Sequence, residues 1–263
     1  EIIEKKPVAY QLIDGIKSFV SCTYQLVDNQ MSFVFPDGYD PCYELVIDPL
    51  LIFSTYSGST ADNWGSTATP GENGNLYSAG VTNLLNDGGV FPATTGAFQI
   101  NYGGLYDIGI LKYDSAGQQL LYASYLGGTE SESPHSLVMN SNEELIVLGT
   151  TSSSDFPTTT GAYDRTFNGG TVVAGVVVPY RKGSDIFVAR VNQAGTKLFS
   201  STLLGGNGND GMIPLYGELE KNYGDQLRGD VITDAEDNVY ISSVTSSLDF
   251  PTVNGLDNIY NGG

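Results

Sequence analysis

The amino-acid sequence predicts an all-β fold, a partial β-propeller of four-stranded blades preceded by a small antiparallel β domain. Three observations carry this expectation. First, 33 of 263 residues are Gly and 17 are Tyr, against 11 Lys and Arg together, a balance that favours strands and turns over helices. Second, the apolar residues fall in short alternating runs broken by tight turns, the pattern of half-buried strands. Third, several of these runs recur in the same order along the chain, which marks a repeat architecture.

Residues 1–49 stand apart, with more charge and no Gly-Gly signature. Val8–Ile13 and Lys17–Leu26 alternate on either side of Asp14-Gly15, a strong hairpin signal. Met31–Phe35 follows a turn at Asp28-Asn29, and Asp37-Gly38 leads through Asp40-Pro41 to Tyr43–Ile47. These runs make a small antiparallel sheet, read as the C-terminal part of a β domain, with its boundary at Asp48-Pro49.

The repeat occupies residues 50–263. A strand before glycine reads LIFSTYSG (Leu51–Gly58), LLYASYLGG (Leu120–Gly128) and LFSSTLLGG (Leu198–Gly206). A hairpin then reads ENGNLYSAGVTN (Glu72–Asn83), NSNEELIVLGTTSS (Asn140–Ser153) and DAEDNVYISSVTSS (Asp234–Ser247). Its following loop reads FPATTGAF (Phe91–Phe98), FPTTTGAY (Phe156–Tyr163) and FPTVNGLD (Phe250–Asp257). The next strand reads DIGILKYDSAG (Asp107–Gly117) and DIFVARVNQAG (Asp185–Gly195), each turn placing Gly last, where a left-handed residue is needed. On this reading Asp107–Gly170 holds four uninterrupted strands and forms one blade. Thr171–Gly183 and Met212–Leu227 are insertions, the second with a hint of helix, and insertions in a repeat array gather on one face. Short alternating strands need stacked neighbours to cover their apolar faces. A four-stranded unit repeated radially answers that need, and a β-sandwich array would not repeat Phe-Pro-Thr and Gly-Gly so faithfully.

With STYSGS, ASYLGG, FPTTTGAY and DIFVARVNQAGT in register, residues 50–263 resemble the bacterial SBBP β-propeller repeats. GYDP (Gly38–Pro41) and LVIDPLLIFST (Leu45–Thr55) look like the β domain that commonly precedes such propellers. The first copy departs from the pattern, with Ser57-Gly58-Ser59 in place of Gly-Gly, and so do the two insertions. The resemblance implies a large secreted or surface-attached bacterial protein. Two full copies and part of a third cannot close a ring, which takes about four blades, so either more chain or a partner is expected at the open edge.

Charge and chemistry narrow the function. A formal charge of −19 excludes nucleic-acid binding through phosphate neutralisation. No apolar run approaches the roughly 18 residues of a membrane span. Cys22 and Cys42 would close a loop of about 20 residues as a disulfide, worth about 3 kcal/mol. Two buried free thiols are the alternative. His135 is the only histidine, which excludes a His-based metal site, and a Ser-His-Asp triad would have to use this residue, which falls at a loop-to-strand junction. A glycosidase needs two carboxylates roughly 5 to 10 Å apart. The acids, however, fall mainly in turns, at Asp114, Glu143, Glu144, Asp234, Glu236 and Asp237, where solvated Asp is ordinary. Calcium is the one cofactor suggested, through Asn207–Asp210 and Asp234–Asn238, although neither matches a twelve-residue calcium loop and plain turns explain both. The recurring aromatics Tyr56, Tyr125, Phe91, Phe156 and Phe250, and the lone Trp64, read as packing.

The expected function is therefore a non-enzymatic, extracellular or cell-surface binding or scaffold module, plausible as part of an adhesin or as a substrate of a bacterial secretion system. Its partner would be a protein, a surface glycan, or an outer-membrane or secretion complex, met by the two insertion loops. The alternative is a secreted glycan-processing enzyme with its site on other blades.

Overall fold

A computed structural model describes residues 7–27, 30–48, 53–84, 88–174, 178–212, 227 and 229–261. The chain is all-β, built from antiparallel sheets, and divides into two compact units, residues 1–54 and 55–263. Among the described residues no helix is long and apolar enough to cross a membrane.

In the first unit β1 (Val8–Ile13) is central, flanked by β2 (Ile16–Val20) and β5 (Leu45–Asp48). Asp14 and Gly15 both take positive φ, 52° and 80°, as a two-residue hairpin turn of the favoured hand requires. The run Lys17–Leu26 is not one strand. It breaks after Val20, and β3 (Thr23–Val27) pairs instead with β4 (Gln30–Val34) as a separate hairpin. The buried amide of Gln11 fastens the loop before β5, donating to the carbonyls of Asp40 and Tyr43 and accepting from the Asp40 N–H. Cys22 is buried beyond β2, whereas Cys42 lies exposed in that loop. Both are free thiols, so the Cys22–Cys42 bridge expected from the sequence is not formed here.

The second unit holds two four-stranded meanders and a two-stranded remnant. The first sheet runs β6 (Asp62–Pro70), β7 (Leu76–Asn83), β8 (Asp107–Tyr113) and β9 (Leu120–Leu126). The second runs β10 (Glu132–Met139), β11 (Leu145–Thr151), β12 (Asp185–Val191) and β13 (Leu198–Leu204). The third contains β14 (Asp230–Thr233) and β15 (Val239–Ser242). Asp107–Gly170 is consequently not one blade. Its first hairpin closes the first sheet and its second opens the next, and the break falls at Gly127-Gly128. Periodicity cannot locate that break, because every hairpin carries the same period-2 pattern.

Alternation along β11 shows how the sheets stack. Leu145 and Val147 join a core with Tyr77, Ile108 and Ile110 of the first sheet, while Ile146 and Leu148 join Val231 of the third. Both faces of a central strand are thus buried, and β11 is apolar through most of its length. Each complete sheet also carries two bulges at matching places. The pairing skips Ser66 in β6 and His135 in β10, then Leu121 in β9 and Phe199 in β13. The first LIFSTYSG copy forms no strand over its described residues. Tyr56 is 96 % exposed, where the aligned Tyr125 and Leu203 are buried.

Candidate functional site

The Gly-Gly pairs lie where one sheet gives way to the next, and acids converge on both. At the first junction Asp107, at the head of β8 and fully buried, accepts the Gly103 N–H at 2.7 Å and the Gly104 N–H at 3.2 Å. Glu132, at the head of β10 and equally buried, accepts the Gly128 N–H at 3.0 Å and the Thr151 hydroxyl at 2.6 Å. Asp155, in the loop after β11, accepts the Thr129 N–H and hydroxyl. The second junction repeats the scheme. Asp185 accepts the Asn168 and Gly169 N–H groups at 2.8 and 2.9 Å. Asp210 accepts the Gly206 N–H at 2.8 Å and the hydroxyls of Ser247 and Thr245. Asp249 accepts the N–H and side-chain amide of Asn207.

Glycine is required at the first position of each pair because the two buried acids close on it. A Cβ on Gly127 would stand 2.6 Å from Glu132 Oε2 and 2.7 Å from Asp107 Oδ1. On Gly205 it would stand 2.8 Å from Asp185 Oδ1 and 2.9 Å from Asp210 Oδ2. Two carboxyls thus face each other across a backbone with no side chain between them. The ion pairs among the described residues, Lys182–Glu130 and Arg190–Glu144, involve other acids. Burial without a cation disfavours the charged form. It pushes Asp107 and Asp185 up to about 7 and Glu132 up to about 8, against the opposing pull of their N–H and hydroxyl donors. Burial raises Asp210 as well. Each pair closes on its Gly-Gly turn, and Glu132 and Asp210 fasten that turn to the sheet that follows.

The acids singled out from the sequence do other work. Asp114 accepts the N–H groups of Gln118 and Gln119 inside its own turn, and Asp234 does the same for Glu236 and Asn238. Asp237 reaches the preceding sheet's turn, accepting from Ser141 and Asn142. Glu144 holds Asn140 and pairs with Arg190, and Glu143 faces Glu72, which raises its pKa. In the first stretch suggested for calcium, Asn207 and Asn209 donate to Asp249 and Thr171 while the Asp210 carboxyl accepts the hydroxyls of Thr245 and Ser247; in the second, Asp234 accepts within its own turn. Among the described residues no group of three or more His, Cys, Asp or Glu is arranged to hold a metal.

His135 is the extra residue of the β10 bulge. Its Nε2 lies 3.1 Å from Thr150 Oγ1, which lies 3.2 Å from the hydroxyl of the fully buried Tyr180. Enclosure pushes the imidazole down to about 4, so it is neutral at ordinary pH. Trp64 stacks on Tyr106 with ring centroids 6.1 Å apart. In the described part of Thr171–Gly183, Val173, Val178 and Tyr180 pack with Val81 and Met212, while the adjacent Val172 is 64 % exposed. Met212–Leu227 lies outside the described residues apart from its two ends, which pair with each other.

Beside the second junction lies an open polar cleft of about 460 Å³. It is lined by Tyr163, Asp164, Asn168 and Asn207 among others, with Asp249 and Pro251 on the third repeat's side. Tyr163 is 67 % exposed. Sequence reasoning passed over the junction acids, although the alignment holds their signal. Acid recurs at the fourth residue after Gly128 and Gly206 (Glu132, Asp210), before the second and third Phe-Pro (Asp155, Asp249) and at each DI strand head (Asp107, Asp185).

A family model described as a domain of unknown function (DUF7948) matches residues 1–50, the span of the first unit short of its last residues. No curated protein matches the chain.

Proposed function

We propose that this chain is a secreted or cell-surface binding and scaffold module, built from propeller blades of the SBBP type, that meets a protein or surface-glycan partner and catalyses no reaction. The observation that carries this reading is the recurrence of one junction, acid for acid, where each four-stranded sheet gives way to the sheet that follows it. Carboxyls that recur at every junction and spend their oxygens on loop N–H groups serve the repeat, whereas a catalytic pair is needed once. In the first insertion Val173, Val178 and Tyr180 are packed away, so the recognition surface favoured here is the cleft at Tyr163 rather than that loop. An exposed tyrosine beside carboxylate and amide side chains suits the apolar face and hydroxyls of a sugar.

Glycan-array screening of the whole chain tests this, with Tyr163→Ala expected to weaken any hit about tenfold. Binding to no glycan, or binding indifferent to Tyr163, would sink the cleft as the recognition site. The rival reading, a glycan-processing enzyme, rests on the facing pair Asp107 and Glu132. Hydrolysis of chromogenic glycosides that Glu132→Gln abolishes would establish it and displace the scaffold reading.

A further inference from the structure

The two Gly-Gly junctions anchor their backbones alike and differ in one side chain, and that difference falls in the Tyr163 cleft. Gln99 and Asp164 hold aligned positions after the Phe-Pro loops. The Gln99 N–H donates to Ser124 Oγ at 3.2 Å and its carbonyl accepts the Tyr125 N–H at 3.0 Å. The Asp164 N–H donates to Thr202 Oγ1 at 3.0 Å and its carbonyl accepts the Leu203 N–H at 2.9 Å. From this shared anchor the Gln99 amide lies across its Gly-Gly turn. Its Oε1 accepts the Gly127 N–H at 3.2 Å, and its Nε2 donates to the Gly127 carbonyl at 3.2 Å and to Asp107 Oδ2 at 3.4 Å. At the second junction Asp164 instead turns Oδ1 back to the Thr166 N–H at 2.7 Å, and a carboxylate has no N–H to donate. Asn168, where the first junction has Gly103, donates to the Gly205 carbonyl at 3.4 Å. Among the described residues no side chain accepts the Gly205 N–H, although Gly205 is buried and forms part of the cleft wall. Buried backbone N–H groups are almost always paired.

From this we infer that the cleft binds the acetamido group of an N-acetylated sugar, which supplies to Gly205 what the Gln99 amide supplies to Gly127. The inference rests on the glycan reading above and narrows it to one substituent. The acetamido carbonyl would accept the Gly205 N–H, and its N–H would donate to Asp164 or Asp249, carboxylates that both line the cleft. The size and lining favour a sugar over the glutamine side chain of a protein partner. About 460 Å³ falls within the roughly 300–1,000 Å³ of small-molecule sites and exceeds what one amide fills. Asn168, Asn207 and the two carboxylates can hold ring hydroxyls as well. Nor does the opening depend on the third repeat. At the first junction, flanked by two four-stranded sheets, Thr129 and Asp155 are exposed just as their counterparts Asn207 and Asp249 are.

Titration calorimetry of the whole chain with chitotriose and with cellotriose tests it, since cellotriose carries hydroxyls where chitotriose carries acetamido groups. Chitotriose should bind about tenfold more tightly or better. Asp164→Gln rebuilds the first junction's arrangement, so it should weaken chitotriose binding about tenfold or more and leave the thermal midpoint unchanged or raised. Equal binding of the two sugars, no binding of chitotriose, or chitotriose binding indifferent to Asp164→Gln overturns the inference. Tighter binding of the tripeptide Gly-Gln-Gly, lost in Asp164→Gln, would assign the amide to a protein partner and overturn it too. The two readings fail separately. A glycan without acetamido groups that binds in dependence on Tyr163 keeps the cleft and sinks the acetamido inference. Chitotriose binding lost in Asp164→Gln but kept in Tyr163→Ala upholds the inference and removes Tyr163 from the reading above.

Discussion

The two Gly-Gly junctions use the same three acidic positions, yet they are not equally committed. At the first, Glu132 takes one donor from the Gly-Gly turn and two hydroxyls, Thr151 on the neighbouring strand of its own sheet and Ser153 just beyond it. At the second, the shorter Asp210 also takes three donors, two of them Thr245 and Ser247 beyond β15. The first junction is therefore completed by residues of a four-stranded sheet, and the second depends on a two-stranded one. The difference teaches that the junction is only as firm as the sheet on its far side. Both acids are fully buried, Glu132 between two four-stranded sheets and Asp210 beside the two-stranded one.

The largest effect should come from filling the space between the acids. Gly127→Ala is expected to destabilise the second unit by about 2–3 kcal/mol, since its Cβ meets two buried carboxyls that strand heads hold in place. Gly205→Ala should cost less, because its contacts are slightly longer and the far side of that junction can give. Thermal unfolding of both variants would check the order, and equal losses would break the comparison.

The pH dependence ranks next, and its sign follows from the shifts. Carboxyls raised above their ordinary values hold protons in the folded state that the unfolded chain gives up. Their contribution is complete below pH about 4 and is lost as pH rises through about 7 to 8. The depressed His135 works oppositely, with stability present above 6.5 that fades as pH falls towards about 4. Between about pH 7 and 8 the imidazole is largely neutral in both states, so the carboxyls dominate and stability should fall by about 1–2 kcal/mol. Glu132→Gln should flatten that fall, seen in denaturant midpoints across the window. A slope that this substitution leaves unchanged would remove the first junction as its source.

The smallest effects belong to the exposed acids. Asp155→Asn and Asp249→Asn each loosen a loop tie in contact with solvent and should cost less than about 1 kcal/mol. Amide exchange at Thr129 and Asn207 would show the loosening where global stability does not.

Much of this architecture was legible in the sequence, and the parts that were not share a cause. Asp14-Gly15 announces its hairpin because two positive φ values are a local demand of the turn. Gly117 and Gly195 likewise close their turns with positive φ. The sheet boundary at Gly127-Gly128 was misplaced and the Lys17–Leu26 run was read as one strand, because strand partners are chosen by contacts distant in sequence. The junction acids were overlooked for a related reason. Asp107 and Glu132 look like ordinary solvated carboxylates until the fold buries them face to face, and attention went to the turn acids, which the structure keeps at the surface or within their own turns.

The matched bulges at Ser66 and His135, and at Leu121 and Phe199, carry one last consequence. A ladder with an extra residue at a set rung cannot slide by one position without turning its buried side inside out. Since the extra residues fall at the same rungs in both sheets, the hairpins are keyed alike and are interchangeable parts. Cutting and rejoining the gene at Gly128 and Gly206 should therefore add or remove whole repeats while leaving every remaining ladder in register.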